Sequence, residues 1–166
     1  MNYAKIKKYD VTNGPGVRTV LFVSGCTHNC LGCFNLEQQN FNYGQKWSKE
    51  IEDKFIEYCK DEYVDGVSIL GGEPFQQNMD SDFINLLKRL KEEVGKPIWV
   101  WTGYTLSEVF QYPHKIDYLQ YIDVLIDGKF ELNKRDLTLM YRGSSNQRVI
   151  DVQKTLKENK LILYFT

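Results

Sequence analysis

Any fold of this chain has to accommodate three cysteines in one short stretch, Cys26-Thr27-His28-Asn29-Cys30-Leu31-Gly32-Cys33, spaced C-x3-C-x2-C. Three thiols this close cannot all pair as disulfides, and so tight a loop has little reach to join even two of them with good geometry. The spacing suits a soft metal centre, because thiolates select zinc, copper(I) or iron–sulfur clusters. The number of ligands then matters. A structural zinc site is closed by four protein ligands, and a cubane iron–sulfur cluster takes a ligand on each iron, normally cysteine. Three thiolates on a cubane leave one iron open to a small molecule. The fourth cysteine, Cys59, shares a helical face with Ile51, Phe55 and Tyr58 and reads as core. A zinc site with His28 or Cys59 as its fourth ligand is the alternative reading of the same residues.

The surrounding pattern places that stretch. Asn13-Gly14-Pro15-Gly16 reads as a turn. It feeds the apolar, β-branched run Val17 to Val23, a buried strand, and the cysteine loop follows at once. Phe34 to Gly44, polar and aromatic, reads as a structured loop. Ser48 caps a helix to about Asp61, with Glu50 favourably placed in its first turn. Gly66 to Leu70 is a second strand, running into Gly71-Gly72-Glu73-Pro74. Phe83, Leu86, Leu87, Leu90 and Val94 set a helix from about Ser81, stopped by Gly95 and Pro97. Pro97 to Thr102 is the third strand, with Trp99 and Trp101 packing on it. A short helix opens at Thr105, and a weaker helical stretch leads to the fourth strand, Ile122 to Ile126, which ends at Asp127-Gly128-Lys129. Val149 and Ile150 read as a short strand, Asp151 to Glu158 as a short helix, and Leu161 to Phe165 as a last strand.

Strands alternating with helices predict βαβ units and a parallel sheet. The units are too few for a closed eight-stranded barrel, so the expected fold is α/β: a partial, open βα barrel in one domain over residues 1–166. A net charge of −1 gives nucleic acid or an anionic membrane nothing to bind. The lysines Lys5, Lys7 and Lys8 read as solvated surface. No apolar run approaches the ~20 residues of a membrane span, and no signal-peptide core precedes the first strand. Closely spaced reduced cysteines without an export signal point to the cytoplasm.

Each unusual segment falls just after a strand, at the edge where parallel α/β sheets bind ligands. The cysteine motif after the first strand and GGEP after the second together resemble the radical S-adenosylmethionine superfamily. Within it, N-G-P-G-V-R, C-x-G-C-F-N, W-T-G-Y, D-G-K and R-G-S-S-N-Q-R resemble the glycyl-radical activases that serve anaerobic ribonucleotide reductase. The resemblance implies a [4Fe–4S] cluster on Cys26, Cys30 and Cys33, its open iron chelated by the amino and carboxylate groups of S-adenosyl-L-methionine. Gly71 and Gly72 would let backbone approach the cofactor, Glu73 would face its cationic region, and Lys129 would pair with its carboxylate. Asp127 would be a further acceptor, and Thr102 would contact the ribose. Related activases carry an acid before that threonine, and often an aromatic residue before the third cysteine, where this chain has Trp101 and Gly32.

The implied activity is one-electron cleavage of the cofactor, with a 5′-deoxyadenosyl radical taking hydrogen from a glycine of the reductase's large subunit. A flavodoxin-type protein would supply the electron. The open side of the barrel, with the loop Phe34 to Gly44 and the segment after Lys129, would receive the reductase. Activation of another glycyl-radical enzyme, such as pyruvate formate-lyase, is the alternative activity, and a metal-binding scaffold without catalysis is the non-enzymatic one. On the plainer readings His28 is solvated or faces a partner, His114 has no role, and Arg142 and Arg148 are solvated, paired with an acid such as Asp151, or in contact with partner or cofactor.

Overall fold

The computed structural model describes residues 1–165. Strand β1 (Asn2–Asp10) turns into β2 (Arg18–Ser24), and after the cysteine loop a two-residue strand β3 (Gln45–Lys46) precedes helix α1 (Lys49–Cys59). Then follow β4 (Gly66–Gly71), α2 (Asp82–Arg89), β5 (Ile98–Trp101), α3 (Leu106–Val109), α4 (Pro113–Leu119) and β6 (Val124–Asp127). A long loop leads to β7 (Arg148–Asp151) and α5 (Val152–Glu158). The strands form one open sheet in the order β3-β1-β2-β4-β5-β6-β7. β2, β4, β5 and β6 are parallel; β1, β3 and β7 pair antiparallel at the flanks.

Local chemistry sets the boundaries. Ser48 Oγ accepts from Ile51 N (3.2 Å) to start α1, and Thr105 with Glu108 forms a reciprocal capping box on α3. α2 continues into a wider π turn, Leu90–Val94, and stops where Gly95 takes a left-handed φ of 71° and donates to Leu90 O.

The parallel strands are buried on both faces, which is why they read as unbroken apolar runs. Alternate residues such as Leu21, Ile69, Val100 and Leu125 meet Phe55, Phe83 and Leu86 of α1 and α2. Trp99, Val124, Ile126 and Val149 point the other way and pack with Trp101 and Tyr141. On that second face, at the carboxyl ends of the strands, the site opens against Phe22, Leu70 and Trp101.

Two expectations need correction. Lys5, Lys7 and Lys8, read as solvated surface, belong to a strand, β1: Lys5 is exposed, while the Lys7 ammonium lies over the Phe22 ring and the Lys8 ammonium over Tyr9 and Tyr58, paired with Asp61 at 3.2 Å. Only Tyr3 and Asp10 of β1 are buried, so no apolar alternation betrayed it. Leu161 to Phe165 is not a strand. Thr155 Oγ1 takes the Ile162 N–H (3.0 Å) and Asp151 N donates to Ile162 O, leaving a single bridge between Ile150 and Leu163.

Candidate metal centre and its cavity

A cavity of about 500 Å³ lies at the carboxyl ends of β2, β4, β5 and β6. Cys26, Cys30 and Cys33 line it together with Gly71, Gly72, Glu73, Thr102 and Lys129. Phe22, Leu70 and Trp101 form an apolar wall, and Tyr141, Arg142 and Gln147 close the far side. Four loops that are distant in sequence therefore share one wall, as the strand-end pattern implied.

The three thiols are free and partly exposed. Burial, with the charges of Glu73, Cys30 and Cys33 behind it, pushes the Cys26 thiol up to about 11. Burial and Cys33 also raise Cys30, against which the charge of Lys129 acts. Thiolates so placed need a cation to be held as such, and iron supplies one while protons leave. Among the described residues no three His, Cys, Asp or Glu side chains are grouped to grip a single metal ion. Three free thiols lining one cavity are a donor set that suits an iron–sulfur cluster. Cys59 does not join them: it is fully buried against the helices, and burial lifts its thiol to about 12.

The glycines of the second motif serve the loop contact. Gly72 N donates to Val23 O and Glu73 N to Gly25 O, both at 2.8 Å, binding this turn to the root of the cysteine loop. A Cβ on Gly72 would sit 2.6 Å from Gly25 O and 2.8 Å from Gln38 O, both backbone atoms that cannot yield.

Glu73 lines the cavity with its carboxylate already engaged by protein. It is 1% exposed, and four donors already converge on its carboxylate. Thr102 Oγ1 (2.7 Å) and Phe75 N (2.9 Å) reach Oε1, while Gly103 N (2.6 Å) and His28 Nε2 (2.7 Å) reach Oε2. Its acceptor sites are filled by protein, as is the Thr102 hydroxyl. His28 is likewise not solvated: its ring is packed edge-on to Tyr104 with centroids 4.7 Å apart.

The fourth strand-end motif splits. Lys129 is exposed on the cavity wall, and its ammonium has no ion-pair partner among the described residues. Asp127 turns away from this cavity to Arg148 (2.6 Å) and Leu106 N (2.8 Å). Arg148 is thus paired, though with Asp127 rather than Asp151. Arg142 donates through Nη1 to Gln147 O (2.7 Å), and its buried Nε has no protein partner, which leaves a donor for an acid group.

Sequence reasoning missed the amides that tie the loops together. Gln76 exchanges two bonds with Thr27, Gln77 Nε2 reaches Ser24 O (3.0 Å), and Asn35 Nδ2 reaches Gly71 O (3.1 Å). The adjacent amides after Pro74 were the one signal available.

A protein-family model described as a 4Fe-4S single cluster domain matches residues 12–150. The chain is 44% identical over 150 residues to the anaerobic ribonucleoside-triphosphate reductase-activating protein of Vibrio cholerae, covering 89% of this chain and 96% of the relative. It is 42% identical over 152 residues to the protein of the same name from Escherichia coli K12, covering 90% and 97%. The Salmonella typhi protein of that name is 43% identical over the same lengths.

Proposed function

The chain belongs to the family of anaerobic ribonucleoside-triphosphate reductase-activating proteins, with a 4Fe-4S single cluster domain, and from that premise we propose that it is a radical S-adenosylmethionine activase of such a reductase. The observation that carries this reading is the joint placement of three free thiols and the unpaired Lys129 on one cavity at the carboxyl edge of the parallel strands. When bound, a [4Fe–4S] cluster on those thiols supplies an electron that splits S-adenosyl-L-methionine into methionine and a 5′-deoxyadenosyl radical, which takes a hydrogen atom from a reductase glycine.

The chain's own residues bind and shelter. Cys26, Cys30 and Cys33 hold the iron. Lys129, on a cavity that Arg142 also lines, attracts the methionine carboxylate through a charge-assisted bond. Gly71 and Gly72 contribute unhindered backbone. Phe22, Leu70 and Trp101 give the cavity one apolar wall that keeps water from the reacting groups. Glu73, Thr102 and Asp127 support this site from behind, through the bonds described. The open sheet is read as a partial βα barrel of the radical S-adenosylmethionine type, one domain over residues 1–166.

The reductase is proposed to dock over the mouth. Phe34 lines the cavity, is 62% exposed and is steadied by Phe130 and Arg135, and Leu31, Leu132, Leu137 and Met140 of the cysteine loop and the segment after Lys129 are exposed as well. So large a set of bare apolar side chains suits a protein surface. A flavodoxin-type donor and a cytoplasmic location complete the reading; no helix is long and apolar enough to cross a membrane among the described residues. The relatives are named for the reductase, which favours it over another glycyl-radical enzyme.

Anaerobic reconstitution tests the whole. About four irons per chain, cofactor cleavage on reduction, and a glycyl radical detected in the reductase by electron paramagnetic resonance are expected. A chain that takes up iron yet leaves the cofactor intact in the presence of reductant and reductase overturns the reading.

A further inference from the structure

The cysteine loop is anchored unevenly. Its entrance is fixed by backbone, with Gly25 N on Gln38 O (2.7 Å) and Cys26 N on Gln39 O (3.0 Å). Thr27 is held by Gln76. Beyond that point His28 ties the loop to buried structure: Nε2 on Glu73 Oε2 at 2.7 Å, with the His28 side chain 7% exposed. A Cβ on Gly103 would lie 2.5 Å from the imidazole, so that glycine leaves the ring its place. Past His28 the chain takes a left-handed turn at Asn29 (φ 53°) and doubles back through Cys30 to Cys33. The post that His28 grips cannot swing, because Thr102, Gly103 and Phe75 hold the other acceptor positions of Glu73.

We propose that His28 is a positioning residue of the metal centre. It fastens the cysteine loop to the Glu73 turn, so that Cys30 and Cys33 stay on the cavity they share with Cys26 before and after metal enters. It touches neither metal nor cofactor. The carboxylate can only accept at this contact, so Nε2 carries the proton. This deepens the cluster reading and rests on it.

The test uses the full chain reconstituted anaerobically, with His28→Ala and His28→Gln beside the parent. The readouts are the rate of iron loss to excess ferrous chelator and the resonance spectrum of the reduced cluster. Outer-shell partners of metal sites commonly govern affinity by 10–100-fold, so His28→Ala is expected to release iron about tenfold faster or more, with an altered spectrum. Glutamine can place an N–H near the position of Nε2 and should restore the release rate to within about threefold of the parent. The metal-free His28→Ala protein should melt within about 5 °C of the parent, showing that the fold survives. Release of iron from His28→Ala at the parental rate overturns the proposal. So does glutamine failing as badly as alanine, which would assign the effect to ring packing on Tyr104. A parent chain that takes up no iron sinks the cluster reading and the inference with it, whereas about four irons held equally by parent and His28→Ala sink the inference alone.

Discussion

Glu73→Gln separates a structural post from a cofactor contact. The carboxylate receives four donors at 2.6–2.9 Å in a site closed to water, two of them the backbone N–H groups of Phe75 and Gly103. An amide has one acceptor atom. With its oxygen at the Oε1 position, its NH₂ faces Gly103 N–H; flipped, it faces Phe75 N–H. Thr102 can rotate its hydroxyl and His28 can move its proton, but a backbone N–H can do neither. One buried donor is therefore orphaned in either orientation, at about 1–3 kcal/mol. The remaining bonds lose their ionic partner, and bonds to charged groups run about twice as strong as neutral ones. Together these give a loss of about 3 kcal/mol, a large fraction of a total of roughly 5–15. Thr102→Val removes one donor and leaves the carboxylate three, so it should cost about 1 kcal/mol. Urea unfolding of the metal-free protein under reducing anaerobic conditions measures both, read as midpoint shifts at constant slope. A Glu73→Gln variant within about 0.5 kcal/mol of the parent, the range of an ordinary surface change, would refute the reasoning. Were its S-adenosyl-L-methionine affinity the only casualty, Glu73 would be a cofactor contact after all.

Cys26→Ala, Cys30→Ala and Cys33→Ala should each lose cofactor cleavage, while Cys59→Ala keeps iron and cleavage and loses about 1 kcal/mol of stability; iron loss from Cys59→Ala like that of the others would end the three-ligand assignment. Lys129→Met should weaken cofactor binding more than about tenfold by calorimetry with the cluster intact, since a charge-assisted bond is worth roughly 1.5–3 kcal/mol, and unchanged affinity would move the carboxylate to Arg142. Asp61 accepts from the Tyr9 hydroxyl, the Tyr63 N–H and Lys8, and its carboxyl is pulled from 3.8 to about 2. A depressed folded value means that its stabilisation is complete above the unfolded value and fades as pH falls towards 2, so Asp61→Asn should flatten that part of the acid-unfolding curve, and an identical curve refutes the assignment. Hydrogen exchange should show residues 34–44 and 130–147 protected when the reductase binds, and Arg135→Glu should slow radical formation with cofactor binding unchanged; protection on α1 and α2 instead would put docking on the wrong face.

The central sheet was legible because parallel strands are buried on both sides and so write themselves as apolar runs bounded by glycine. The site edge was legible for a related reason: the residues that depart from such runs gather where strands end. What escaped was whatever depends on partners distant in sequence. β1 hides its pairing beneath lysines whose ammonium heads lie over aromatic rings. Nothing local tells that Glu73 meets His28 from 45 residues away and Thr102 from 29. A carboxylate beside a presumed cationic ligand looks like a binding group until its donors are counted. The same holds for Asp127, whose neighbour Lys129 faces the cavity while Asp127 itself is taken by Arg148.

The Asn-Gly-Pro-Gly-Val-Arg stretch shows what the opposite end of these strands is for. Arg18 opens β2 and is 1% exposed, with no carboxylate in ion-pair contact among the described residues. Its guanidinium donates to Ser68 Oγ (2.7 Å), Val67 O (2.9 Å), Pro97 O (3.0 Å) and Pro15 O (3.2 Å) and lies 5.4 Å from the Trp99 ring. Burial lowers its pKa to about 10, a sign that the charge is held at a cost which those carbonyls and the ring offset. Only a planar fork of donors reaches β4 and the start of β5 at once; a lysine has one nitrogen to offer. The glycines make the room, since a Cβ on Gly14 would sit 2.6 Å from Arg18 Cδ and one on Gly66 would strike the guanidinium itself. The motif therefore ties β2, β4 and β5 at their amino ends, far from the thiols. With the strands fastened there, their carboxyl ends are left to loops, and the loops can be spent on holding cysteines, a lysine and an open cavity instead of on holding the sheet together.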